Sequence, residues 1–229
     1  MKQAIKRIIN IDMKRIKELD LENQGIYIEF DEDNMMKAKA LVIGPKDTLY
    51  ENGFLFFTIT FPNNYPYSPP DIKYQSQNNI RVHPNIYVNG KICLSILGTW
   101  SGPSWTSAMD IINVLITIQS LLDNNPLQNE PGYENNKHNI KIYKNYNKVI
   151  QYNTINSLII NQLKNDLGEF NLFKDVINTY FKENKDNILL KINNNKDIKE
   201  ELRIGIYQIN TIIDYDRLKN RYTKFIDNK

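Results

Sequence analysis

Cysteine occurs once in these 229 residues, as Cys93, and histidine twice, as His83 and His138. One thiol excludes an intramolecular disulfide, and a single cysteine with two histidines is too sparse a set for a structural zinc site, so no metal is expected. Long apolar runs are also missing. The most apolar segment, Ile111 to Leu122, is interrupted by Asn113, Thr117, Gln119 and Ser120 and falls well short of the roughly 18 residues a spanning helix needs, so no membrane partner is expected. Charge is nearly balanced: 29 Lys and Arg against 26 Asp and Glu leave +3, less than a nucleic-acid binder usually concentrates on one face. The opening Met1-Lys2-Gln3-Ala4-Ile5-Lys6-Arg7 runs straight into charged, helix-period sequence without the apolar centre of a secretory signal, which predicts the cytosol or nucleus. What is present is enough for a soluble domain with a core: 41% hydrophobic and 24% charged residues, with a mean hydropathy of -0.51.

Ile80 to Trp105 is the stretch around which the chain is organised. It holds the one thiol between turn residues, and a thiol is already a strong nucleophile near pH 7, so against an activated acyl group it needs placement more than activation. Pro84 biases His83 toward an extended backbone, and Asn89-Gly90 supplies a tight turn that returns the chain toward Asn85 before Lys91-Ile92-Cys93. A carboxamide and a thiol are therefore expected side by side, the amide serving as a neutral donor to a developing oxyanion. Loss of one such donor costs on the order of 100-fold in rate. Transfer by this route requires the sulfur to be presented to solvent. Two rival readings remain: a cysteine hydrolase using Cys93 with His83 or His138, which also needs a third, orienting group, and a non-catalytic scaffold.

His83-Pro84-Asn85 followed by Gly90-Lys91-Ile92-Cys93-Leu94-Ser95-Ile96-Leu97 resembles the active-site signature of the ubiquitin-conjugating enzymes. The block from Leu94 to Trp105, with Asn129-Glu130-Pro131-Gly132-Tyr133-Glu134 beyond it, is similar to the large, Z-type branch of that family. The resemblance implies that Cys93 takes ubiquitin or a ubiquitin-like modifier as a thioester from an activating enzyme and passes it to a substrate lysine, with or without a ligase. It implies no cofactor, since ATP is used by the activating enzyme upstream. Asn85 would stabilise the oxyanion or order the loop, and His83 would serve the loop's hydrogen bonding. Asn129 and Glu130 stand roughly where most members carry a gating aspartate beside the cysteine. A carboxylate there, from Glu130, would orient the incoming amine and favour loss of its proton. Lys6 and Arg7 are the basic pair implied to meet the activating enzyme. Pro62 and Tyr67 lie in the implied ligase-facing loop, while Ser107 replaces the proline usual in the second such loop.

The expected fold class is α+β, a UBC-like fold. Ile9, Met13, Ile16 and Leu19 recur at helical spacing in a first amphipathic helix. Ile26 to Phe30, Met36 to Ile43, Phe54 to Phe61 and Asp71 to Tyr74 read as a four-stranded antiparallel meander, punctuated by Gly44-Pro45 and Asn52-Gly53. Phe61 to Pro70 is too rich in proline for regular structure. Trp100 and Trp105 are expected as packing anchors of their loop. Thr106 or Ser107 is expected to cap a buried central helix through Leu122, with Asp110 in its first turn, and Tyr143 to Asn165 to form another helix. Residues 1–168 would make the core. Residues 169–229 would make a helical extension with segments at Asn171 to Glu183 and Asp197 to Ile226, acting as a packed cap or a partner-binding arm.

Overall fold

The computed structural model describes residues 1–76, 80–134 and 140–227. The chain divides into two compact units, one of Met1–Pro45 with Leu55–Leu122, the other of Lys46–Phe54 with Asp123–Lys229.

In the first unit the N-terminal helical run consists of α1 (Lys2–Arg7), a π-helical turn (Ile8–Asp12) and α2 (Met13–Glu18). The residues it buries are Ala4, Ile8 and Asp12, spaced four apart, while Ile9 is 47% exposed and Leu19 is also exposed. The apolar stripe expected through Ile9 and Leu19 is therefore displaced by one position. An aspartate lies in the buried stripe because Tyr65 and Arg7 supply its hydrogen bonds, without which a buried carboxylate is costly.

Four strands follow: β1 (Ile26–Phe30), β2 (Lys37–Ile43), β3 (Phe54–Thr60) and β4 (Asp71–Tyr74), in spatial order β1-β2-β3-β4. The β1–β2 pair is antiparallel with Ile28 opposite Ala40, and β3–β4 is antiparallel with Ile59 opposite Ile72. Phe54 to Phe57 are buried in succession, so β3 is covered on both faces where its alternation predicts one. The central helix α3 (Ile111–Leu121) buries Ile111, Ile112, Val114, Leu115 and Ile118 and contacts β2. Its cap is Asp110 itself. The Asp110 carboxylate accepts from the Asn113 N–H at 3.1 Å while the Asn113 side chain accepts from the Asp110 N–H at 3.0 Å, a reciprocal capping box. Ser107 and Thr106 remain exposed in the preceding loop, which corrects the expected cap by three residues.

The second unit is mostly helical. It contains α4 (Ile140–Asn153), which continues through a π-helical segment (Thr154–Asn161) into α5 (Gln162–Lys164), then α6 (Lys174–Asn194) and α7 (Tyr215–Asp227). Its core includes Tyr146, Val149, Leu158, Phe173, Phe181, Ile192, Leu218 and Tyr222. The segment expected to be one helix from Asp197 to Ile226 is instead an antiparallel hairpin followed by α7. The strands are β5 (Lys199–Ile204) and β6 (Ile209–Asp214), in register from Lys199↔Asp214 to Ile204↔Ile209. Period-two burial of Leu202 and Ile204 against α4 overrides the helix preference of the Lys-Glu-Glu-Leu-Arg run. Among the described residues no helix is long and apolar enough to cross a membrane.

Candidate active site

The loop carrying Cys93 is built on the end of β4. The Tyr74 N–H donates to the Gly90 carbonyl at 2.9 Å, and the Gly90 N–H to Tyr87 at 3.0 Å. Gly90 has φ +89, and a Cβ there would lie 3.0 Å from the Tyr74 carbonyl oxygen, so the turn excludes other residues on both counts. Short bridges pair Ile86 with His83 and with Ile92, which doubles the chain back and sets Asn85 against Cys93. The contact is reciprocal. The Cys93 N–H donates to the Asn85 carbonyl at 2.8 Å, and the Asn85 side-chain amide donates to the Cys93 carbonyl at 2.8 Å.

Thr99 secures the same strand from the other side. Its hydroxyl donates to the Ile92 carbonyl at 2.6 Å and accepts from the Leu94 N–H at 2.9 Å. The Arg81 guanidinium lies 3.9 Å from the Tyr87 ring centre and donates to the Pro84 carbonyl, fastening the proline turn. A cleft of about 370 Å³ adjoins this loop, bounded by Asp71, Lys73, Lys91, Ile92, Leu97 and Thr99.

His83 is fully buried, and burial, opposed by a hydrogen bond with the Leu121 backbone, pushes its pKa down to about 3. Its Nδ1 accepts from the Asn85 N–H at 3.0 Å, so the ring is neutral and its basic lone pair is already used. That is a loop-ordering arrangement and removes His83 as the base of the hydrolase reading. His138, the other base considered, lies outside the described residues.

The carboxamide is where the residue spacing predicts it, but the sulfur is not. Cys93 is 2% exposed, which corrects the expectation of a thiol open to solvent. The backbone bonds that set Asn85 beside it also draw the residue into the apolar layer with Ile86, Ile92 and Leu94.

Residues 9–154 match the family model for ubiquitin-conjugating enzyme. The chain belongs to the ubiquitin-conjugating enzyme family. It is 45% identical over 142 residues to ubiquitin-conjugating enzyme E2 Z of Xenopus tropicalis and to that of Homo sapiens, a match covering 61% of this chain and 45% and 40% of those proteins. The chain thus spans less than half the length of these relatives. A probable ubiquitin-conjugating enzyme, E2 R521 of Acanthamoeba polyphaga mimivirus, is 33% identical over 180 residues, which is 74% of this chain and 12% of that one. The E2 domain of a Toxoplasma gondii ubiquitin-conjugating enzyme aligns with TM-score 0.49 and 26% identity over 64% of this chain and 99% of that domain.

The other residues singled out in this family member divide into exposed and engaged groups. Lys6 is exposed. Arg7 is not available in the same way: its Nε donates to Asp12 at 3.2 Å and its Nη2 to the Met109 carbonyl at 3.3 Å. Tyr67 is 66% exposed, Ser107 is exposed and Pro62 is half-buried. Their two loops are joined where the Trp105 indole donates to the Pro66 carbonyl at 2.6 Å. Trp105 is thus an anchor as expected, whereas Trp100 is 44% exposed and is not. Asn129 and Glu130 belong to the second unit. The Asn129 amide donates to the Pro126 carbonyl at 3.2 Å, and the Glu130 carboxylate accepts from the Tyr207 hydroxyl.

Residue types alone did not reveal the charged cluster beneath α1 and α2. Besides Asp12 with Arg7, the Tyr65 hydroxyl donates to Asp12 at 2.6 Å and Arg15 pairs with the fully buried Asp110. Burial holds the Asp12 carboxyl above the usual carboxylate range and raises the Tyr65 phenol. The sequence pattern carried no signal for this cluster, since Asp12 lies off the stripe of Ile9, Met13, Ile16 and Leu19.

Proposed function

We propose that the chain accepts the C-terminus of ubiquitin or a ubiquitin-like modifier as a thioester on Cys93 and transfers it to a lysine. Family membership supports this reading, and the observation that carries it is the reciprocal pair of hydrogen bonds between Asn85 and Cys93. In charging, a bond forms between the Cys93 sulfur and the modifier's carbonyl carbon as the activating enzyme's thioester breaks, and the thiol proton passes to the departing thiolate. In discharge, the amine attacks that carbonyl, the tetrahedral oxyanion collapses, and the Cys93 thiolate leaves as the amine gives up its proton. Asn85 stabilises the oxyanion or holds the loop that does so, and Glu130 orients the incoming amine. Lys6 meets the activating enzyme, which supplies the ATP-derived energy, and Pro62, Tyr67 and Ser107 face a ligase. The cytosol or nucleus, where ATP sustains the upstream step, belongs to the same proposal.

The burial of Cys93 favours a second reading, a modifier-binding scaffold of the same fold that forms no adduct. One assay separates the two. Incubation with ATP, activating enzyme and ubiquitin is expected to give an adduct that thiol reductant removes, and Cys93→Ser at most a reductant-resistant ester. Binding without an adduct, across a panel of modifiers and their activating enzymes, overturns the transfer reading. Cleavage of ubiquitin esters without ATP would instead restore the hydrolase.

A further inference from the structure

The second unit has a cavity of its own, made by α5, the residues that follow it and the first turns of α6. It measures about 260 Å³, and Gln162, Leu163, Lys164, Leu167, Lys174 and Ile177 are part of its lining. Gln162 begins α5 where the π-helical segment ends, and π-helical turns inside α-helices recur at functional sites. The residue is 2% exposed, and among the described residues neither the oxygen nor the nitrogen of its amide has a hydrogen-bond partner. A buried donor and acceptor both left unmade are costly, so this amide calls for an explanation.

The charges about the cavity are mainly positive. Lys164 and Lys174 are exposed, whereas the Asp166 carboxylate of the lining already accepts from the Gly168 N–H at 2.9 Å and the Asn171 amide at 2.7 Å. Arg221 of α7 donates to the side-chain oxygens of Asn156 and Asn161, which are neutral. Desolvation and the nearby charge of Arg221 lower the Lys164 pKa, as expected of a cation short of counter-charge. Leu163, Leu167 and the buried Ile177 add hydrocarbon.

We propose that this cavity binds an N-acylated amino acid with an apolar side chain, the chemistry of a polypeptide's C-terminal residue. Lys164 and Lys174 take its carboxylate, and the Gln162 amide, which both donates and accepts, takes its peptide group. Leu163, Leu167 and Ile177 take its side chain. The volume lies below the roughly 300–1,000 Å³ of sites for drug-sized ligands, which limits the occupant to about one residue. The inference is independent of the chemistry at Cys93.

The test is titration calorimetry on the full chain with N-acetyl-leucine and with N-acetyl-leucinamide, which replaces the carboxylate by a neutral group. The acid is expected to bind with a Kd on the order of 1 mM and about tenfold more tightly than the amide. Tighter binding of an N-terminally blocked peptide ending in leucine assigns the site to chain ends, and weaker or equal binding assigns it to free acyl amino acids. Gln162→Met replaces the amide by a chain of similar length. It is expected to weaken binding of the acid about tenfold and to leave the thermal unfolding midpoint at or above the parent's, since the amide it removes has no partner among the described residues. Lys164→Gln combined with Lys174→Gln should abolish the preference for acid over amide. No saturable binding of the acid at about ten times the expected Kd overturns the inference, as does equal affinity of the parent for acid and amide, or parent-like binding by either variant. A lowered midpoint in Gln162→Met makes the amide a structural group and overturns it as well.

Discussion

Around Cys93 the polar groups that order the loop are neutral: the buried imidazole of His83 and carboxamide of Asn85, and the hydroxyl of the exposed Thr99. Beneath the N-terminal helices they are charged, with Asp12 against Arg7 and Asp110 against Arg15. Both clusters fasten loops to the first unit, so the choice of material reflects what else each loop does. A neutral cluster places no fixed negative charge where the thioester oxyanion would develop, and its donors are already oriented. A charged cluster instead holds helix to loop, because removing either partner leaves the other to be solvated.

The comparison is broken most sharply at Asn85. Asn85→Ala is expected to charge nearly normally and to discharge to lysine on the order of 100-fold more slowly, measured by single-turnover loss of the thioester. Equal loss of both steps would make Asn85 a loop clamp only, no different in kind from Asp110.

The clusters should also oppose each other in pH. His83 has a folded pKa near 3 against about 6.5 unfolded, so the unfolded chain binds more protons between those values. Stability therefore falls as pH drops through that window, by about 2 kcal/mol between pH 7 and pH 5. Asp12 is raised above 3.8 by burial, so there the folded chain binds more protons. Its contribution is full below 3.8 and is lost as pH rises through the folded value. Urea unfolding from pH 4 to 7 should show His83→Gln losing the decline on the acid side and Asp12→Asn losing the opposing gain. A parent-like profile in His83→Gln would mean the imidazole is not held neutral.

The smallest effect belongs to the cap. Asp110→Ala removes the capping box of α3 and frees Arg15, which is partly exposed and can be hydrated. The expected cost is about 1.5 kcal/mol by urea unfolding, with charging unchanged below the transition. A loss of charging in the folded variant would tie the charged cluster to the chemistry and dissolve the contrast.

The cluster at Cys93 was legible because turn chemistry is local: Pro84 and the Asn89-Gly90 pair fix where the chain reverses, and the reversal sets Asn85 eight residues back against Cys93. The four strands were legible from alternation and from their turns, to within a residue at each end. The charged cluster was not, because a hydropathy pattern assigns Asp12 to solvent and cannot see Tyr65 arriving from 53 residues away. The same blindness moved the buried face of the first helix onto Ile9 and Leu19. At 199–214 local preference favoured helix, and the strands exist only because their apolar residues pair across the hairpin and pack on α4. The burial of Cys93 lay beyond reach for a related reason: spacing predicts who neighbours a thiol, not what roofs it.

Asn85 grips the carbonyl of residue 93, and Thr99 grips residues 92 and 94 on either side. The main chain that carries the thiol is thus moored at three successive residues. The place of residue 93 is written into the backbone on both sides of it, independently of the side chain it carries.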